Sequence, residues 1–245
     1  MKRKAAQGLL AVLLLSFVAL ELLYPSGPEI AGEAFRPDRS KYETVRESFP
    51  ATTIEYFLHV AFRRERGSSF HIRKWRESLR IRALGTPSEH DRNALSQAVN
   101  ELSPLIAPLE MTLTERDPNV EVHFSPAAEL PKYEPNYDPG DPGSEGTYWC
   151  WWSNVGEINR CRIVIATDLT SESERGRVFR TFLLGVLGFM GSRPERGEDS
   201  LLDRGRDPGR HEYSSLDREL VRLLYRHEIY PGMSLRTARS VLIEP

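Results

Sequence analysis

Two cysteines, each inside a run that alternates like a β-strand, constrain this chain more than any other feature of its sequence. Trp149-Cys150-Trp151-Trp152 and Cys161-Arg162-Ile163-Val164-Ile165 are separated by the polar stretch Ser153-Asn154-Val155-Gly156-Glu157. A two-residue turn at Val155-Gly156 places Cys150 directly opposite Cys161, so the pair predicts a disulfide-bonded hairpin. Metal binding by two lone cysteines would need further His or Cys at paired spacing, and none accompanies them. Strand alternation puts Trp149 and Trp151 on one face and Trp152 with Cys150 on the other. The simplest reading makes two of the three core residues that cover the disulfide. The sharper reading leaves exposed aromatics that stack on glycan rings or seat at a membrane surface.

A disulfide implies an oxidising compartment, and the N-terminus agrees. Lys2, Arg3 and Lys4 precede an apolar run from Gly8 to Tyr24, interrupted by Ser16 and Glu21 and closed by Pro25-Ser26-Gly27-Pro28. The basic flank stays in the cytoplasm, which sends the remainder outside. The run is shorter than the ~20 residues of a full span, and no clean small-x-small site follows it. It reads as an uncleaved signal anchor, with a cleaved signal peptide as the alternative. No cysteine lies near its end, which excludes lipid attachment of the bacterial lipoprotein kind. Residues 1–28 are therefore expected to be a signal anchor or signal peptide, 29–50 a linker, and 51–245 a single domain. The expected location is the bacterial inner membrane with a periplasmic domain, or the periplasm or outside if the signal is cut. The membrane, through this segment, is the first expected partner, and an envelope protein or peptide the second.

A formal net charge of -2 argues against nucleic acid as a partner. Lysine is scarce, being confined to Lys2, Lys4, Lys41, Lys74 and Lys132, so the basic surface is almost wholly arginine.

Helical periodicity appears at Ile54, Phe57, Leu58 and Ala61, with Thr52 or Thr53 as the cap. Phe70 and Ile72 with Leu79-Arg80-Ile81-Arg82-Ala83 read as a strand pair. Ser88 and Asp91 open a helix in capping-box fashion, with Leu95, Ala98, Val99 and Leu102 on one face. Met111 to Thr114 and Val120 to Phe124 alternate again. Residues 125–147, dense in proline and glycine, read as loop. A helix follows through Val178, Phe179, Phe182, Leu183, Val186 and Leu187. Residues 190–213 read as an exposed polar loop. Ser214 or Ser215 caps a helix carrying Leu216, Leu220, Leu223 and Leu224, and Ser234 opens the last one. This order predicts an α+β domain, a twisted mixed sheet packed by helices.

Motifs for chemistry are mostly missing. There is no Gly-x-Ser-x-Gly elbow and no phosphate-binding glycine loop. Neither His211-Glu212 nor His227-Glu228 continues to a second His at helical zinc spacing, and both read as solvated surface charge. His59 and His123 read as packed histidines. A hydrolase with a relocated site would draw on Glu195, Glu198, Asp199, Asp203, His211 and Glu212.

Arg73-Lys74-Trp75 with Leu79-Arg80-Ile81, the stretch Val178 to Phe189, and Ser215-Leu216-Asp217 through Leu223-Leu224-Tyr225 to Tyr230-Pro231-Gly232-Met233-Ser234 resemble a family of exported bacterial proteins of unknown function. That family is remotely similar to the metzincin zinc peptidases, and the resemblance spans about residues 50–240. It implies a metzincin-like (zincin-like) scaffold, for which the order of strands and helices is suitable.

A metzincin helix carries His-Glu-x-x-His-x-x-Gly-x-x-His, because residues one turn apart aim two imidazoles at one zinc while the Glu activates its water. With the motif's glycine set on Gly188, the first His falls on Thr181, the Glu on Phe182, the second His on Gly185 and the third on Gly191. The acidic and Gln residues that the exported family keeps on this helix are missing too. The resemblance therefore implies a degenerate, non-catalytic domain with no metal and no cofactor, which acts by binding or structure. Gly185 and Gly188 each cost about 1 kcal/mol of helix stability relative to Ala. Close packing of a neighbouring strand is the preferred reason for them, and close approach of a bound peptide the alternative.

Overall fold

The computed structural model describes residues 40–62, 71–140, 145–190, 199–203 and 211–243. Two units divide the chain, Met1–Pro37 and Asp38–Pro245. The first lies outside the described residues, and so does the Gly8–Tyr24 run on which the anchor reading rests. Among the described residues no helix is long and apolar enough to cross a membrane, which overturns the expected membrane partnership.

The sheet follows from runs that put an apolar side chain on every second residue. Its strands are β1 (Lys74–Trp75), β2 (Leu79–Gly85), β3 (Met111–Leu113), β4 (Val120–Ser125), β5 (Gly146–Trp152) and β6 (Glu157–Ala166). β2 pairs in parallel with β3 and β4, β4 pairs in parallel with β6, and β1 pairs in parallel with the start of β6. β5 alone runs antiparallel, along β6. Cys161 has partners in both β5 and β4, so those two strands flank β6 on opposite sides. The result is a mixed sheet packed by helices, mostly parallel, with an antiparallel edge.

Alternation gives the sheet two unlike faces. Leu79 and Ile81, Val120, Val122 and Phe124, and Cys161, Ile163 and Ile165 are buried on one face. Against it pack α1 (Ser40–Ser48), α2 (Ala51–Ala61), α3 (Glu89–Leu102), α4 (Glu172–Leu187), α5 (Ser215–Tyr225) and α6 (Leu235–Leu242) in one core. The other face carries Arg80, Arg82, Glu121, His123, Arg160 and Arg162. Its far end is covered by a second small cluster in which Ala127, Leu130 and Tyr137 lie on Val164 and Ala166.

Both predicted capping boxes form, Ser88 with Asp91 and Ser214 with Asp217. Ser171 and Ser234 cap α4 and α6. α2 instead starts after Pro50 without a side-chain cap, and Thr53 donates to Glu219 at 2.8 Å.

Several expectations are corrected. Part of the predicted linker is helix α1, whose Tyr42 and Val45 are buried because they supply an apolar pair to the core. The stretch 125–147 is not all loop: Ala127–Lys132 is a 3-10 helix that roofs the second cluster, and β5 begins at Gly146. Ser200, Leu201, Leu202 and Asp203, read as exposed, are buried. They are held there by Asp217, which accepts from Ser200 Oγ at 2.6 Å and Leu201 N–H at 3.1 Å. Finally, β1 pairs with β6 rather than with β2.

Candidate functional site

The disulfide joins Cys150 and Cys161 as expected, and these two residues pair directly across β5 and β6. The turn differs from the prediction. Ser153 pairs with Glu157 around a three-residue tip, with the Gly156 N–H on the Ser153 carbonyl at 2.9 Å. Gly156 takes φ +83°, where glycine carries no steric cost. A register shift between Trp151 and Trp152 then restores the pairing that a two-residue turn would have given. The extra residue, Asn159, lies on β6, so Trp152 pairs with Ile158 at the end of the strand.

All three tryptophans are exposed, Trp149 by 44% and Trp151 and Trp152 by 38% each. The reading that made two of them core is overturned. Cys150 and Cys161 are covered without them, because helices lie on that face. The Arg73 guanidinium sits 3.5 Å over the Trp152 ring. Arg160 and Arg162 lie 5.1 and 5.8 Å from the centre of Trp151. Beside Trp152 opens a cleft of about 470 Å³ lined by His71, Arg73, Asn154, Tyr230 and the two turns that meet at Gly156 and Gly232.

Along the same sheet face, Glu121 accepts from Arg162 Nη2 at 3.1 Å and Arg160 Nη2 at 3.4 Å. Burial pushes the Glu121 carboxyl up, but the bonds and charge of Arg162, with Arg160, outweigh it and hold the group below the usual carboxylate range. His123 stacks on Tyr133 at 4.3 Å. Burial lowers its pKa against the pull of Glu121, whose oxygen at 3.8 Å is too far for a hydrogen bond.

The degenerate zinc positions lie on α4, which is buried along nearly its whole length. The Thr181 hydroxyl donates to the Arg177 carbonyl one turn back, at 3.0 Å. The Phe182 ring meets Tyr148 of β5, with centroids 5.5 Å apart. Gly185 faces Tyr148 too: a Cβ there would stand 2.3 Å from Tyr148 Cζ and 2.5 Å from its hydroxyl. The strand is thus the neighbour that requires a glycine. Gly188 ends the helix at φ +130°, where a Cβ would meet the Arg73 carbonyl at 2.2 Å. Gly191 lies outside the described residues. Among the described residues no three His, Cys, Asp or Glu side chains converge as metal ligands do.

The Tyr148 contact gives a direct prediction. Gly185→Ala is expected to cost about 1–3 kcal/mol in the natural chain, through overpacking. In a Tyr148→Ala background the same change is expected to gain up to about 1 kcal/mol, the helix propensity of alanine. Urea denaturation of the four proteins in the cycle measures both, and an equal cost in the two backgrounds would refute the contact.

Of the residues named for a relocated hydrolase site, Glu195 and Glu198 lie outside the described residues. His211 and Glu212 border a second cleft between α3 and α4, and Asp199 and Asp203 do not line it. The other pair read as solvated charge is half corrected. His227 is exposed, but Glu228 is buried and accepts from Arg226 at 2.7 and 3.1 Å.

A family model described as a protein of unknown function, DUF2927, matches residues 50–244. The chain belongs to the DUF2927 family. No curated protein matches it. The match takes in every strand of this DUF2927 domain and all its helices but α1. Sequence reasoning passed over Tyr148, although two-residue alternation from Cys150 points it toward the helices. It named Lys74-Trp75 only as part of a resemblance and gave no role to their side chains, which hold two helix ends. The Trp75 indole donates to the Val186 carbonyl at 2.8 Å, at the end of α4. Lys74 does the same for α5.

Proposed function

We propose that this DUF2927 chain is an exported, non-catalytic binding domain on a metzincin-like scaffold, acting on a protein or peptide partner in the cell envelope. The observation that carries this reading is Tyr148 lying on Gly185. The face of α4 that would present an imidazole to zinc instead seats a tyrosine ring from the neighbouring strand. Thr181 bonds its own helix, and Phe182 offers no base. A zinc of the metzincin kind does not fit these residues, so no hydrolytic step is derived from them. The scaffold reading is supported by the order of elements: an antiparallel edge strand, then β6, then directly the buried helix α4. Export is supported by the disulfide, since such bonds persist in oxidising compartments. Elemental mass spectrometry on the full chain, purified without chelator or affinity metal, tests the reading. The expected zinc content is below about 0.1 per chain, and about one zinc per chain on protein ligands would sink it.

A second reading rests on the hairpin. Three exposed tryptophans, of which Trp152 borders an arginine-stacked cleft, suit a glycan, whose sugar rings pack on aromatic faces. Titration with soluble cello- and chito-oligosaccharides is expected to change tryptophan fluorescence saturably, and Trp151→Ala to abolish the response. An unresponsive natural chain would eliminate this reading.

A further inference from the structure

The second cleft, between the N-terminal halves of α3 and α4, has a volume of about 400 Å³. That lies within the range of small-molecule sites. Its rim is polar and exposed: His90, Asn93 and Gln97 from α3, Ser173 from α4, and Glu212. Its floor is Ala94, Gly176 and Arg180, all buried. The small residues make the hollow. A Cβ on Gly176 would stand 3.4 Å from the Ala94 methyl and 3.6 Å from Arg180 Nη1.

Arg180 is only 6% exposed, yet its Nε has no hydrogen-bond partner among the described residues. The same is true of the buried Nδ1 of His211, across the cleft. Two orphaned buried polar atoms lining one cavity are uncommon, because each costs about 1–3 kcal/mol when unsatisfied. The guanidinium is also under-neutralised. Its Nη2 donates to the Gln97 amide oxygen at 3.2 Å, and the nearest carboxylate among the described residues, Glu101, is 3.9 Å away. Glu101 is engaged at 2.8 Å by Arg218. Asp91, in the first turn of α3, is engaged at both oxygens by Arg175. Glu212, the only carboxylate among the described residues that line the cleft, is on the exposed rim.

We propose that this cleft binds a small oxyanion-bearing solute, a carboxylate or a phosphate, held by the Arg180 guanidinium and the His211 imidazole and bordered by the amides of Asn93 and Gln97. A guanidinium with an unpaired N–H beside a small cavity is the kind of group that planar oxyanion recognition uses. The site is separate from the Trp hairpin and from the Tyr148 contact, so it stands whether or not the preceding readings do.

Isothermal titration of the full chain with inorganic phosphate and with succinate, at constant ionic strength and against a chloride control, tests it. One anion per chain is expected to bind. Arg180→Gln is expected to weaken binding by at least about tenfold, and His211→Ala by about threefold or more. Phosphate alone, or succinate alone, identifies which chemistry the site reads. His211 is only partly buried, so its variant decides the matter if Arg180→Gln fails to fold. No heat from either anion up to roughly 10 mM overturns the proposal. So does binding unchanged in folded variants.

Discussion

Asp91→Ala is expected to cost about 3–5 kcal/mol, the loss typical of breaking a buried ion pair. Asp91 is 1% exposed and accepts from Arg175 Nε at 2.9 Å and Nη2 at 3.1 Å, a two-point grip between α3 and α4. The same carboxylate accepts from the Ser88 N–H at 2.9 Å, completing the cap of α3. Alanine removes the cap, worth about 1 kcal/mol, and leaves a guanidinium in the core. Arg175 would keep the carbonyls of Thr170 at 3.1 Å and Thr167 at 3.4 Å, and a half-exposed Glu172 at 3.6 Å. None of these neutralises it in a dry site. Arg82–Glu115 provides the contrast. Both of its members are substantially exposed, so Arg82→Ala is expected to cost under about 1 kcal/mol. For a domain of this size the Asp91 loss corresponds to roughly 6–20 °C in Tm. Calorimetry of the two variants measures the difference. Equal shifts would mean that the helix pair is held by apolar packing alone.

The capping box that Asp91 completes was legible in the sequence, since a box is local and needs residues only three apart. So was the Cys150–Cys161 hairpin, because cross-strand register is arithmetic once the turn is placed. Even there the true turn was one residue longer, and the bulge that compensates leaves no sequence signal. Arg175 as partner of Asp91 was not legible: the two residues are brought together by packing of α3 on α4, and charge in a helix's first turn usually faces water. The same holds for residues 199–203. Their polar sequence reads as loop, and only the buried carboxylate of Asp217, reaching back from the cap of α5, draws them into the core. On α4 the loss of zinc ligands was readable from residue identity. What replaced them was not, because Tyr148 is distant in sequence and meets Gly185 only through the placement of β5 on the helix.

Lys74→Met is expected to destabilise the domain by about 2–4 kcal/mol near neutral pH. The Lys74 ammonium donates to the carbonyls of Leu224 at 2.9 Å, Arg226 at 2.9 Å and Ile229 at 2.7 Å. The first belongs to the last turn of α5, whose final carbonyls lack helical partners, and the other two to the turn that follows it. Methionine fills the space but supplies no donor, and the carbonyls remain in a site where Lys74 itself is 5% exposed. The titration of the lysine gives the prediction a second, independent readout. Burial, with a smaller contribution from Arg76 and against the pull of Glu228, pushes its pKa from 10.5 down to about 8. Below pH 8 folded and unfolded chains both carry the proton, and the full cost of burying the charge is present. Between about 8 and 10.5 only the unfolded chain still holds it, so the contribution of Lys74 to stability rises with pH across that window. The rise amounts to about 3 kcal/mol and stops once both states are neutral. The Met variant lacks this slope, whereas the tyrosines titrate alike in both proteins. The stability gap between natural chain and variant should therefore widen from pH 8 to 10.5. Denaturant unfolding at half-unit steps of pH measures it. A constant gap would mean that the three carbonyls hold the ammonium at its ordinary pKa despite burial. No gap at pH 7 would mean that the end of α5 finds other donors. The cleft beside Trp152 depends on the outcome, because Ile229 is followed by Tyr230 and the Pro231-Gly232 turn that line it.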